Sequence, residues 1–318
     1  MDIRLTLLTL TMLAPTVHAQ LAPSAGLSGE IALNAGYTTS KSQFNTDSAR
    51  TLTSLEQAPD RESSLLVAPL GNLAYTFGSR LNQQIYLGTT RSDIAVGTLA
   101  FQLGYRYQLP SSVIVDISYL PTVIDGETWR NPYLLNTARQ TTDEGGNAFR
   151  LQLNRLVDGN LNLDFAYADK DVEHDQVSDL TLLRDAQIYY VKSGYRIPLS
   201  RTSSLKPAIT YISQDAAGEA ESFDSYGIDI SWFSLLNRHR LALTTEYQQR
   251  DYQAASQTFS TTRKDDNWRF FVAYEYQNVF NWQDWSFVSF ASYSQTESNI
   301  RFYDETQSLV SVGLNYRF

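Results

Sequence analysis

From Ser28 to Phe318 apolar and polar side chains alternate with a period of two, in segments of about ten residues separated by turn-forming positions. Successive side chains of a strand point to opposite faces, so each segment has one face that avoids water and one that seeks it. The last segment is the clearest: Val310, Val312, Leu314, Tyr316 and Phe318 share one face, and Ser311, Gly313, Asn315 and Arg317 the other. Leu99, Phe101, Leu103, Tyr105 and Tyr107 oppose Gln102, Gly104, Arg106 and Gln108 in the same way, and Trp268, Phe270, Val272, Tyr274 and Tyr276 oppose Arg269, Glu275 and Gln277. Charges therefore recur in the middle of strands. A soluble two-sheet sandwich has no place for them, whereas a barrel in lipid turns its apolar face outward and its polar face to a lumen.

The alternation predicts fourteen strands, near residues 28–40, 65–77, 83–93, 96–108, 113–124, 147–157, 160–171, 183–197, 203–214, 222–233, 238–251, 266–278, 285–296 and 306–318. Short turns around 78–82, 109–112, 158–160, 198–202, 235–237 and 281–284 alternate with longer polar connections at 41–64, 125–146, 172–182, 215–221, 252–265 and 296–305. The connection at 93–96 breaks the alternation by being short. An even strand count with both ends of the barrel chain on the short-turn side predicts an all-β fold: a transmembrane antiparallel up-and-down barrel, with short periplasmic turns and longer extracellular loops. In hydrocarbon a sheet must close, because an open edge leaves backbone groups without partners.

The first residues carry Arg4, an apolar run from Leu5 to Ala14, and the small residues Val17 and Ala19 before Gln20. This predicts a cleaved signal peptide over 1–19 and a single barrel domain over 20–318, exported to the outer membrane of a Gram-negative cell. The apolar run is well short of the ~20 residues of a spanning helix.

Composition adds three points. There is no cysteine, which excludes disulfides and thiolate metal sites. A net charge of −9 argues against a nucleic-acid partner, which would need a basic patch. Tyr (20), Phe (15) and Trp (5) are abundant, and eight of these aromatics fall near strand ends on the short-turn side: Tyr105, Tyr107, Trp232, Phe280, Trp282, Trp285, Tyr316 and Phe318. They are expected to form an interfacial girdle against outer-membrane lipid and lipopolysaccharide. Terminal Phe318, after alternating apolar residues, matches the signal read by the barrel-assembly machinery.

The segments LSGEIALNAGY (Leu27 to Tyr37), LLVAPLGNLAYTFG (Leu65 to Gly78), TTRSDIAVGTLAFQLGYRYQL (Thr89 to Leu109) and YDETQSLVSVGLNYRF (Tyr303 to Phe318), with ETWRNPYL (Glu127 to Leu134) and LNRHRLALT (Leu236 to Thr244), carry a resemblance. The chain resembles the family catalogued as domain of unknown function 2860 over nearly all of its mature length. That resemblance implies an outer-membrane protein. It brings no activity and no functional residues.

Catalysis finds little support. The histidines are His18, His174 and His239, none of them on a predicted strand beside a serine nucleophile, so no enzyme is expected. The run Asp169, Asp171, Glu173, Asp175 and Asp179 could hold Ca²⁺, yet reads as a solvated acidic loop; no metal and no cofactor are predicted.

The lumen is the candidate site. Period-two assignment directs Arg106, Asp116, Arg150, Asp164, Asp229, Glu246, Arg269, Glu275 and Arg317 into it. Such charges either line a water-filled passage or pair and close it. The first reading is a porin-like passive channel for small hydrophilic solutes. A second is a non-conducting structural or surface-interaction barrel of receptor or adhesion type. A third is transport of a hydrophobic ligand with a lateral exit, for which Pro69 and Pro121 inside predicted strands offer thin support. The long connections 41–64 and 125–146 could fold inward as constrictions, or Trp129, Pro132 and Tyr133 could pack the second onto the rim.

Overall fold

The computed structural model describes residues 20–98, 100–122 and 126–318. The expected signal peptide, residues 1–19, lies outside them. The strands are β1 (Gly26–Lys41), β2 (Arg61–Phe77), β3 (Gln83–Gly88), β4 (Gln102–Gln108), β5 (Ile114–Pro121), β6 (Gly126–Trp129), β7 (Thr141–Arg155), β8 (Leu161–Val172), β9 (Ala186–Tyr195), β10 (Ile197–Pro198), β11 (Ser203–Ala216), β12 (Phe223–Leu236), β13 (His239–Ala255), β14 (Thr262–Gln277), β15 (Trp285–Ser298) and β16 (Glu305–Arg317). β6 prolongs β5 along β7, and β10 prolongs β9 along β11. The wall is thus a closed antiparallel barrel of 14 strands.

Closure is made by β16 on β1, with Glu30 opposite Arg317 and Leu33 opposite Leu314. The seam runs to Phe318, whose N–H donates to Gly29 O at 3.0 Å while Gly29 N–H donates to Phe318 O at 2.9 Å. A Cβ on Gly29 would stand 2.9 Å from the Phe318 ring, so this position has to be bare for the ring to lie across it.

Along each wall strand the two faces differ in the inverted sense of a membrane barrel. On β1 Leu33 is 62 % exposed and its neighbour Asn34 3 %; on β12 the corresponding values are 59 % for Ile228 and 5 % for Asp229. Large apolar side chains facing outward and polar ones buried inside is the reverse of a soluble domain. Two aromatic belts bound the apolar band. On the short-turn side Phe280, Trp282, Trp285, Tyr316 and Phe318 form a continuous run of ring contacts at 5.1 to 6.1 Å. Tyr105 and Tyr107 on β4 and Trp232 on β12 share the lipid-facing parity of Leu103 and Ile230. A second belt, absent from the sequence expectation, lies towards the long loops: Tyr119 with Phe149, Tyr167 with Tyr189, Tyr211 with Tyr226, and Tyr247 with Trp268, at 4.8 to 5.3 Å. The Tyr211 and Tyr247 hydroxyls donate to Asp224 and Asp266, the polar anchors expected at a headgroup level.

Two strand predictions are corrected. The expected strands 83–93 and 96–108 end at Gly88 and begin at Gln102, and the connection predicted to be short spans residues 89–101 and contains a helical turn, α1 (Arg91–Ile94). The stretch Asp93–Phe101 alternates well enough to imitate a strand, but its Ile94 and Ala95 line the lumen cavity instead of facing lipid. The connection expected at 125–146 is also shorter, because β7 already begins at Thr141.

The other long loops pack on one another above the barrel. Leu52, Tyr133, Val177, Leu182, Ala220, Ile300, Phe302 and Tyr303 form a buried cluster, with Phe44 and Phe259 against it. Trp129 is fully buried and its Nε1 donates to Gln43 O at 3.1 Å. Each large apolar side chain withdrawn from water in this way contributes about 1.5–3 kcal/mol, so these loops form a coherent cap. The loops at 42–60 and 130–140 belong to the cap, and the segment that enters the lumen is 89–101.

Candidate functional site

Residues 89–101 cross the lumen because both ends of the segment are fixed and its middle is held from three sides. Thr90 caps α1, its hydroxyl accepting from Asp93 N at 3.4 Å and donating to Asp93 Oδ2 at 2.8 Å. Arg150 of β7 donates to both Asp93 oxygens, at 3.0 and 3.2 Å, and Gln102 Nε2 donates to Oδ2 at 2.9 Å. On the β1 side Arg91 donates to Glu275 of β14 at 2.9 Å and stands 3.4 Å from Glu30 of β1. Gly97, with φ +81°, carries the chain back across Phe271, and Arg269 donates to its carbonyl at 3.4 Å.

All nine lumen candidates are brought onto the inner wall, and each has an ion partner. Arg106 pairs with Asp116 at 2.7 Å, Arg150 with Asp164 at 2.6 Å, and Asp229 with Lys192 at 2.6 Å. Glu246 pairs with Arg269, and Glu275 with Arg317 at 3.3 Å. Opposite charges face each other across neighbouring strands or across one intervening strand, so the wall carries local pairs and no single-sign field. Five partners escaped the sequence reading. Glu30, Lys192 and Arg240 have the correct parity on β1, β9 and β13 and were legible; Arg91 and Asp93 sit on a segment that imitates a strand.

One cluster has unequal charge. Arg91, Arg240 and Arg317 share the carboxylates of Glu30 and Glu275, three cations against two anions. It borders a cavity of about 330 Å³ that is roofed by α1 and reaches the short-turn rim at Arg196 and Arg201. Most of its exposed surface is apolar, with Ile94, Ala95, Phe233, Ala273, Val288 and Phe290 prominent beside Ser203, Ser204 and Asn315. Phe271, beside Gly97, stacks on Phe290 at 6.2 Å and extends the apolar surface towards the roof. The inner wall is therefore not uniformly polar, as the strand pattern had implied.

Of the acidic run, Asp169 and Asp171 stand on β8, and Asp175 and Asp179 hold the cap together. Asp175 holds Arg184 at 2.8 Å, and Asp179 accepts from Thr181 and from the backbone and hydroxyl of Thr258, joining two loops of the cap. His174 is exposed against its neighbour's carbonyl, and His239 meets the Tyr274 hydroxyl on the short-turn rim. Among the described residues no group of three or more His, Cys, Asp or Glu could hold a metal ion.

A family model described as "Protein of unknown function (DUF2860)" matches residues 26–317, the whole barrel. The chain belongs to this family. No curated protein matches it. Among solved structures it is similar to the outer membrane channel DcaP of Acinetobacter baumannii, at 10% identity and a TM-score of 0.47, covering 92% of this chain and 97% of that one. A loop-deletion mutant of OmpT, an outer membrane protein of Vibrio cholerae, is similar at 10% identity and 0.46, over 93% of this chain and all (100%) of the other. The Pseudomonas putida toluene transporter TodX is similar at 12% identity and 0.45, over 93% and 90%.

Proposed function

We propose that this family member is an outer-membrane channel whose passage is set by the segment 89–101, and that its solutes are small molecules with an apolar body and an anionic group. The observation that carries this reading is the segment itself, folded across a lumen of 14 strands and tied to its walls by ion pairs. A barrel filled for structure alone needs no internal strap, whereas a strap held by a few breakable contacts makes a constriction that can move. The solute class comes from the cavity beneath it. Its apolar wall favours a hydrophobic body, and the surplus cation of the Arg91, Arg240 and Arg317 cluster favours an acid group. This departs from the freely open hydrophilic passage expected from strand number.

The test is single-channel conductance of the refolded protein in a planar bilayer, with an aromatic or short aliphatic carboxylate added to one side. Steady current that the carboxylate blocks at millimolar concentration or below supports the reading. A folded barrel that never conducts, with Arg91→Ala as silent as the parent, sinks it. The packed cap favours a second reading in that event, a surface-interaction barrel that works through its loops.

A further inference from the structure

The wall is not equally tall all the way round. β2 continues outward to Arg61, but β3 last pairs with it at Asn72, and above Thr89, whose N–H donates to Gly71 O at 2.8 Å, the chain leaves for the lumen. β4 begins only at Gln102, and its last partner on β5 is Tyr119, opposite Leu103. Among the described residues the outer half of β2 therefore has a strand on its β1 side alone, and the outer end of β5 one on its β7 side alone. Both short strands, of 6 and 7 residues, fall below the roughly 9–11 that a spanning strand needs.

The gap lies within the membrane band. On β1 the outward-facing Tyr37 stands opposite Leu65, which marks the upper boundary on β2, whereas β3 stops at the level of Asn72. The step between them is roughly 16–19 Å along a tilted wall. With two strands missing, β2 and β5 stand roughly 14 Å apart there, three strand spacings.

The two edges are chemically prepared for lipid. Backbone groups alternate sides along a strand, and Gly71 O points to the β3 side, so Pro69 turns its nitrogen to the same side, now vacant. On β5, Thr122 N–H donates to Gly146 O of β7 at 3.0 Å, so Pro121 faces the opposite, vacant side. Each proline removes an N–H that would otherwise point unpaired into hydrocarbon. Leu65 and Val67, 86 % and 68 % exposed, cover the outer face of the β2 edge, and Leu66 and Leu70 its inner face. At the foot of the gap Leu70 and Gly71 meet Ile94 and Ala95 as part of the cavity lining.

We infer that this notch is a lateral portal through which small, largely apolar molecules move between the outer half of the membrane and the lumen cavity. The inference deepens the channel reading and rests on it for the onward path to the periplasmic rim. The buried aromatic cluster of the cap stands over the direct axial route, and the notch supplies a second route that an apolar molecule reaches from lipid without crossing water.

The native chain has no cysteine, so single thiols report single places. A bimane is attached at Ala68→Cys on the inner face of the notch, at Ala242→Cys in the cavity behind an intact wall, and at Val312→Cys on the lipid face. Each protein is placed in bilayers with spin-labelled acyl chains, then with a small brominated alkane. The portal predicts acyl-chain quenching at Ala68 close to that at Val312 and at least threefold above that at Ala242. It also predicts that the alkane reaches Ala242, and that Leu70→Trp lowers that quenching at least threefold. Ala68 shielded from acyl chains as fully as Ala242, or an alkane that never reaches Ala242, overturns the portal. Conductance of the same samples is read separately, so a sealed notch in a conducting barrel defeats this inference and leaves the channel reading standing.

Discussion

Arg91 and Glu275 lie 184 positions apart in the chain, and the guanidinium of one stands 2.9 Å from the carboxylate of the other across the barrel interior. The contact fastens the segment 89–101 to β14, five strands round the wall from β3. Removing one partner of a largely buried pair leaves the other uncompensated, at a cost of about 3–5 kcal/mol when burial is complete and less here, where Arg91 is 38 % exposed. Arg91→Ala is expected to release the segment while Arg240 and Arg317 still neutralise Glu275. Single-channel current should rise at least twofold over the parent; an unchanged current in a folded variant would show that this contact does not hold the passage.

A second substitution reaches the same segment without touching charge. Gly97 has φ +81°, and an added Cβ would stand 2.9 Å from the Phe271 ring. Gly97→Val meets both backbone strain of about 1–3 kcal/mol and a ring that cannot retreat from Phe290. The expected outcome is a current increase like that of Arg91→Ala with heat-modifiable mobility retained. A variant that conducts as the parent does would place the constriction elsewhere.

The cap should respond to pH through Glu221. Burial holds its carboxyl above the ordinary carboxylate range, against the pull of Arg263 and Lys170 and the hydrogen bond from Tyr133. A raised folded value means that the group's contribution to stability is complete below the unfolded value near 4.5 and is lost as pH rises through the folded value. Labelling of Val177→Cys, a position 6 % exposed within the cap, should therefore quicken as pH is raised from 4.5, after correction for thiol ionisation. Glu221→Gln should flatten the slope, and a slope that survives it would assign the effect to another group.

Arg139 ties the first and third long loops. Its guanidinium donates to Gln43 O at 2.8 Å and Ala49 O at 2.5 Å and lies 4.2 Å over the Trp129 ring. Arg139→Ala leaves buried carbonyls without a donor, at about 1–3 kcal/mol. Limited proteolysis should then cut within 42–60 at least tenfold faster than in the parent, with the barrel core intact; equal rates would show that the cap does not depend on this tie.

Phe318 bears on assembly. Phe318→Ala keeps the backbone bonds to Gly29 and removes the ring that crosses it. If the assembly machinery reads this residue, the variant should reach the outer membrane several-fold less while refolding in detergent as well as the parent. Equal membrane levels would remove Phe318 from that role.

Much of the barrel is legible because lipid enforces a strict rule. A side chain on the wrong parity would face hydrocarbon, so Leu33 against Asn34 or Ile228 against Asp229 declares its direction. The same parity directs the nine charged residues inward and would have added Glu30 and Lys192. The rule lapses where a segment leaves the wall. In TTRSDIAVGTLAFQ Ile94 and Ala95 line the cavity beside Leu70, and Gly97 lies against Phe271, so period two there does not mark a wall strand. Pro69 and Pro121 marked the flanks of the notch in the sequence, yet only the pairing of their neighbours gives them a shared meaning. The upper aromatic belt was hidden because its rings sit mid-segment in strands that run well beyond the membrane.

The seam between β16 and β1 carries its own proofreading. Arg317 on β16 and Glu30 on β1 are register partners, and both join Glu275 and Arg91, which come from β14 and from the strap inside. Parity confines any slip to steps of two residues. One such step would keep every apolar residue on the lipid side and lose backbone bonds only at the strand ends, yet it would carry Arg317 away from Glu30 and break up the shared cluster. Hydrophobicity is blind to that error, whereas the shared arginines detect it at the moment the ring is completed.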